Sequence, residues 1–80
     1  MRGRNTDYFY LEPEILEILR TSEVPMSALG VNFRINNKLE KVVDLNIIKQ
    51  HLEELVKNDK LLKFEKDDII HYKVNPRKKF

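Results

Sequence analysis

The stretch DLNIIKQHLEELVKNDKLLKFEKDDIIHYKV, Asp44 to Val74, decides how this chain is read. Its first half has the marks of a capped amphipathic helix. Asp44 is a natural N-cap, because its carboxylate can accept from an otherwise unpaired N–H of the first turn. Val43 and Ile48 have the spacing of a hydrophobic staple across that cap. Leu45, Ile48, Leu52, Leu55 and Val56 recur at the helical period through Lys57. Asn58-Asp59 then stops the run, since Asn tolerates a left-handed backbone.

The second half, Leu61 to Val74, alternates at the strand period on both sides of Lys66-Asp67-Asp68 and reads as a β-hairpin. Loop length sets its register. A two-residue turn would put Phe64 opposite His71 and Leu62 opposite Lys73, splitting the apolar residues between faces. A three-residue loop would put Phe64 opposite Ile70 and Leu62 opposite Tyr72, gathering them on one face. Because register follows the buried face, an odd-length loop of three or five residues is expected, with Lys63, Glu65, His71 and Lys73 on the outer side.

Upstream, residues 1–6 are polar and basic and are expected to form a mobile arm, followed by a domain over 7–75 and a basic tail over 76–80. Tyr8, Phe9 and Tyr10 suit either core packing or a dimer contact. A first helix is expected from Pro13 behind a Glu12 cap, with Leu11 and Leu16 as staple and Ile15, Leu16, Ile18 and Leu19 as its stripe. Ser22 to Pro25 reads as a turn into an extended step, because Pro25 disfavours helix at Val24. Ser27 is the expected N-cap of a second helix, Ala28 to about Asn36, carrying the pairs Leu29–Phe33 and Val31–Ile35. Gly30 weakens that helix, and would suit a close approach of another one. Asn36-Asn37 is a turn signal, and Lys38 to Val43 has the spacing of one more helical turn.

Eighty residues allow one domain. With no cysteine, neither a disulfide framework nor a thiolate zinc site is possible. No apolar run is longer than Tyr8 to Leu11, which excludes a membrane-spanning helix and points to an intracellular protein. Net charge is +2, unevenly spread: residues 7–33 carry −4, whereas both tails and the later half are positive. That polarity suits one anion-facing side, although basic tails also serve solubility alone.

Helix, extended step, helix, helix and hairpin, in that order, resemble a winged helix-turn-helix domain, an α+β fold of three helices closed by a two-stranded wing. The resemblance rests on IIKQHLEELVKNDKLLKF and IIHYKV, where Leu52, Leu55, Leu61, Leu62, Tyr72 and Val74 take the family's apolar places. It covers roughly residues 11–75. The size is similar to that of small archaeal and viral regulators. Two features depart from the family: Asn58-Asp59-Lys60 stands where many members have glycine, and the link before the third helix is long.

The resemblance implies a regulator of transcription that binds double-stranded DNA, its third helix in the major groove and its wing on the backbone. Asn46, Lys49 and Gln50 lie in the N-terminal half of that helix, opposite the apolar stripe, and are the candidate base readers. Arg34, Asn37, Lys38, Lys41, Lys63, Lys66 and Lys73 are candidate backbone contacts, with Arg2, Arg4, Arg77, Lys78 and Lys79 as basic arms. A solvated helix face carries the same residue types. Glu53 and Glu54 would meet phosphates unfavourably unless Lys49 or Lys57 paired with Glu53. Residues 7–76 hold ten Lys/Arg and thirteen Asp/Glu, which suits the competing class, a protein-interaction winged helix in a larger assembly. Homodimerisation is compatible with either. No nucleophile with its base, glycine-rich phosphate loop or metal-ligand spacing is present, so no enzyme activity, cofactor, metal or small-molecule substrate is expected; His51 suits packing and His71 the wing surface.

Overall fold

The computed structural model describes residues 11–77. Three helices, α1 (Leu11–Thr21), α2 (Ala28–Leu39) and α3 (Leu45–Lys57), pack on an antiparallel sheet of β1 (Met26–Ser27), β2 (Leu61–Lys66) and β3 (Ile69–Val74). The sheet order is β1-β3-β2, so the last strand of the chain lies in the middle. The expected hairpin is present as β2 and β3, and β1 corrects the sheet from two strands to three. Pro25 does hold the chain extended, and the two residues after it are enough to pair Met26 with Tyr72 and Ser27 with His71.

One core serves all elements. Leu11, Ile15, Val31, Ile35, Ile48, Leu52, Leu55 and Leu61 are fully buried, with Val43 and Tyr72 nearly so. Leu11 is inside α1 and buried, which corrects the expectation of a staple outside a Glu12 cap. Glu12 instead lies beside α3, its Oε2 3.4 Å from His51 Nδ1, and Glu14 reaches α2, with Oε1 2.6 Å from Lys38 Nζ. Ser27 caps α2 as expected, its Oγ accepting from Gly30 N–H at 3.2 Å. The neighbours of Gly30 are Met26 and Ser27 rather than another helix.

α2 continues to Leu39, past the expected stop at Asn36-Asn37. Glu40 ends it in the left-handed region (φ 56°), its N–H donating to Asn36 C=O. The extra turn exists because Asn36 has a tertiary partner: its Oδ1 accepts from Val43 N–H at 2.8 Å. One turn earlier, Asn32 Nδ2 donates to Val43 C=O at 2.8 Å. The buried Val43 thus has both peptide groups satisfied by side chains of α2, and residues 40–44 form a loop rather than a further helical turn. Only one of the two apolar pairs on α2 enters the core. Val31 and Ile35 are buried, whereas Leu29 and Phe33 remain 66% and 65% exposed.

α3 starts as expected, Asp44 Oδ1 accepting from Asn46 N–H at 3.2 Å. Its last helical residue is Lys57 and its C-cap is Asn58, as expected, but the left-handed residue is Asp59 (φ 65°), with Lys60 N–H donating to Leu55 C=O at 2.9 Å and Asp59 N–H to Val56 C=O at 3.0 Å. That pair of bonds is a Schellman cap with aspartate in the place glycine usually fills. Asn75 fastens the end of β3 to this corner. Its N–H donates to Lys60 C=O at 3.0 Å and its Nδ2 to Asp59 C=O at 2.9 Å.

The hairpin register is also corrected. Asp67 (φ 55°) and Asp68 (φ 66°) make a two-residue turn, pairing Lys66 with Ile69, Phe64 with His71 and Leu62 with Lys73. Two successive left-handed residues give a turn whose twist matches that of the strands. The buried-face argument fails because the apolar residues of the outer hairpin are not packed into the core: Leu62, Phe64, Ile69 and Ile70 are all exposed. Leu62, Phe64, His71 and Lys73 share the outer face, and Lys63 and Glu65 share the side of Tyr72.

Two substitutions test these assignments by urea unfolding. Asn36→Ala leaves the Val43 N–H without its partner and is expected to cost about 1–3 kcal/mol, whereas Asn37→Ala, on the exposed side, stays within about 0.5 kcal/mol. Asp59→Gly relieves a left-handed residue and is expected to gain about 0.5–1 kcal/mol. Asn58→Gly, at an ordinary negative φ, yields no such gain.

Candidate functional site

The face of α3 turned away from the core carries Asn46, Lys49, Gln50, Glu53 and Lys57, all exposed. The geometry that leaves it open is set at both ends. The Asn32 and Asn36 bonds to Val43 fix where the helix begins, and Glu53 ties its middle to the hairpin. Asn46, Lys49 and Gln50 therefore come together on one surface of the first two turns of α3. Their amide and ammonium groups can donate to, and the amide oxygens accept from, an ordered polar partner.

Glu53 pairs with neither Lys49 nor Lys57. Its Oε2 accepts from Tyr72 Oη and its Oε1 from Lys63 Nζ, each at 2.8 Å. The Lys63 hydrogen bond, followed by that of Tyr72, holds the Glu53 carboxyl below its usual range. Burial, and then the bond to Glu53, pushes the Tyr72 phenol up to about 12. The carboxylate on the flank of the polar face is thus neutralised from the sheet side. Glu54 remains exposed. The signal for this arrangement was weak in sequence, since it depends on the hairpin register that brings Lys63 and Tyr72 side by side.

The remaining candidates divide between surfaces. Arg34 and Asn37 are exposed on α2. Lys38 faces α1 and bridges to Glu14, and Lys41 follows the end of α2, its N–H donating to Asn36 C=O at 3.2 Å. Lys63 turns toward α3, whereas Lys66 and Lys73 lie on the outer face of the hairpin. Arg77 is exposed beside the Asn75 corner, its N–H donating to Asn75 Oδ1 at 3.0 Å. Arg2, Arg4, Lys78 and Lys79, and the aromatic residues Tyr8 to Tyr10, lie outside the described residues. His71 stacks on Phe64 with ring centroids 5.7 Å apart.

Three exposed apolar side chains are not legible in the sequence as such. Leu29 and Phe33 project from α2, and Val42, 90% exposed, from the loop that α2 clamps. The i,i+4 spacing of Leu29 and Phe33 showed that they share a face, but not that the core lies on the other side. Among the described residues, no group of three or more His, Asp or Glu is gathered that could hold a metal ion. No helix among them is long and apolar enough to cross a membrane.

No family model matches the chain, and no curated protein or solved structure matches it significantly.

The Tyr72–Glu53 bond has a titration signature. A phenol whose pKa is raised in the fold contributes stability that is fully present below its ordinary value of 10 and is lost as pH rises toward about 12. The stability gap between the native chain and Tyr72→Phe is expected to narrow over that interval. Difference absorbance between the two proteins should show one phenol titrating at about 12.

Proposed function

We propose that the chain is a winged helix-turn-helix protein that binds double-stranded DNA sequence-specifically and regulates transcription. Its third helix, α3, enters the major groove, and the hairpin serves as the wing. The observation that carries this reading is the state of the outer face of α3. Asn46, Lys49 and Gln50 stand exposed together, while Glu53, the carboxylate that would oppose phosphate, is engaged by Lys63 and Tyr72. Asn and Gln amides match the edge of adenine, and Lys reaches guanine or phosphate. Helix, extended step, helix, helix and hairpin is also the order on which the resemblance to that fold rests.

Positioning on the duplex falls to charged and polar groups elsewhere in the chain. Arg34, Asn37 and Lys41 precede α3, Lys66 and Lys73 lie on the hairpin, and Arg2, Arg4, Arg77, Lys78 and Lys79 supply the arms. Lys38 and Lys63 would have to leave or share Glu14 and Glu53 to contribute. Such contacts give affinity without reading sequence.

A second reading has its own observation. Leu29, Phe33 and Val42 are apolar and exposed, and suit a protein partner more than a phosphate backbone. On that reading the chain is a winged-helix subunit of a larger assembly.

Mobility shifts on random and selected duplexes over a salt series separate the two. DNA binding should weaken steeply with salt. Replacing Lys49 and Gln50 with alanine should cost about 1–3 kcal/mol of discrimination per lost base contact while sparing most non-specific affinity. No binding to any duplex at low salt, with the fold intact by circular dichroism, would exclude the DNA reading.

A further inference from the structure

β2 is the outer strand of the sheet, and no element among the described residues pairs with its free edge. Its pairing with β3 determines which backbone groups that edge offers. Lys66 and Ile69 flank a two-residue turn and so form a hydrogen-bonded pair, as do Phe64–His71 and Leu62–Lys73. The intervening residues Leu61, Lys63 and Glu65 direct their N–H and C=O groups outward.

We propose that this edge binds β2 of a second copy, antiparallel about a two-fold axis through Phe64, joining two sheets into one. The side-chain sequence selects both the occupant and the register. With Phe64 opposite Phe64, Lys63 of each chain faces Glu65 of the other, so both symmetry-related pairs are oppositely charged. These same residues carry the outward backbone groups, so each Lys63–Glu65 pair also exchanges N–H···O bonds. The two Phe64 rings fall at a non-hydrogen-bonded pair, where side chains approach closest. Each ring is already stacked on its own His71.

Neighbouring registers are disfavoured. Moving the axis to Lys63 sets lysine against lysine, and moving it to Glu65 sets glutamate against glutamate; like charges directly opposite destabilise a ladder. Moving it to Leu62 leaves only Leu61 to Lys63 overlapping within the strands. In the favoured register Lys63 lies between Glu53 of its own chain and Glu65 of the second copy, and it alone of the three is positive.

Charge reversal and a cysteine reporter test the pairing on the full chain. Glu65→Lys alone sets Lys63 against lysine, and Lys63→Glu alone sets glutamate against Glu65. Each is expected to weaken self-association by about tenfold or more in sedimentation, from two cross-strand pairs changing sign. An equimolar mixture restores opposite charges at both positions and should dimerise, which misfolding of either variant could not produce. The chain has no cysteine, so Phe64→Cys provides an independent readout. At a non-hydrogen-bonded pair the two Cα atoms stand about 4.5 Å apart, within disulfide range. It should cross-link under mild oxidation, whereas Glu65→Cys and Ile69→Cys, which do not meet their own copies, should not. A wild type that stays monomeric over the concentration series, or a Phe64→Cys that cross-links no faster than the two controls, overturns the proposal. Because these readouts contain no nucleic acid, they stand or fall separately from the DNA reading.

Discussion

A buried peptide between two helices must have its N–H and C=O paired, and at Val43 that requirement organises the middle of the molecule. The side chain is in the core, and the loop around it has no regular ladder to satisfy its backbone. Asn32 and Asn36, one turn apart on α2, supply a donor and an acceptor at 2.8 Å each. α2 must therefore stay helical through Asn36, and Asp44 is left at the position from which it caps α3. Length of α2, path of the loop and start of α3 follow from one residue's hydrogen bonds.

This explains what was legible in the sequence and what was not. α3 is readable because its cap, staple and stripe are all local features. Its stop at Asn58-Asp59 is legible too, but not which of the two is left-handed, because Asn and Asp both tolerate that region and only the bonds from Asp59 and Lys60 distinguish them. Asn36-Asn37 read as a turn for a sound local reason, but the partner of Asn36 is seven residues away in chain and absent from any local window. β1 is two residues long, too short for a period to show. The hairpin register differs from the expected one because the apolar residues of the outer hairpin are not packed, and Asp67 and Asp68 decide it instead.

The candidate site divides in the same way. That Asn46, Lys49 and Gln50 share a polar face follows from helical spacing alone. What surrounds that face does not, because it depends on tertiary register. With Phe64 opposite His71, Lys63 stands beside Tyr72, and both side chains reach Glu53. The odd-length loop would put Lys63 on the side of the sheet away from Tyr72, so that the two could not meet at Glu53. A charge that looked like an obstacle on α3 is the group that joins α3 to the sheet.

That join constrains how the surfaces of the molecule act together. A hairpin extending past the core has few packing contacts at its tip, and strands with little burial open readily. Here the base of the hairpin is held at three points: Leu61 in the core, Tyr72 on Glu53, and Asn75 on the Asp59–Lys60 corner. Lys63 adds a partly exposed bond, which contributes little stability by itself but fixes the direction of β2. The outer face of α3 and the free edge of β2 are therefore joined through the carboxylate of Glu53, which bonds to Tyr72 and Lys63.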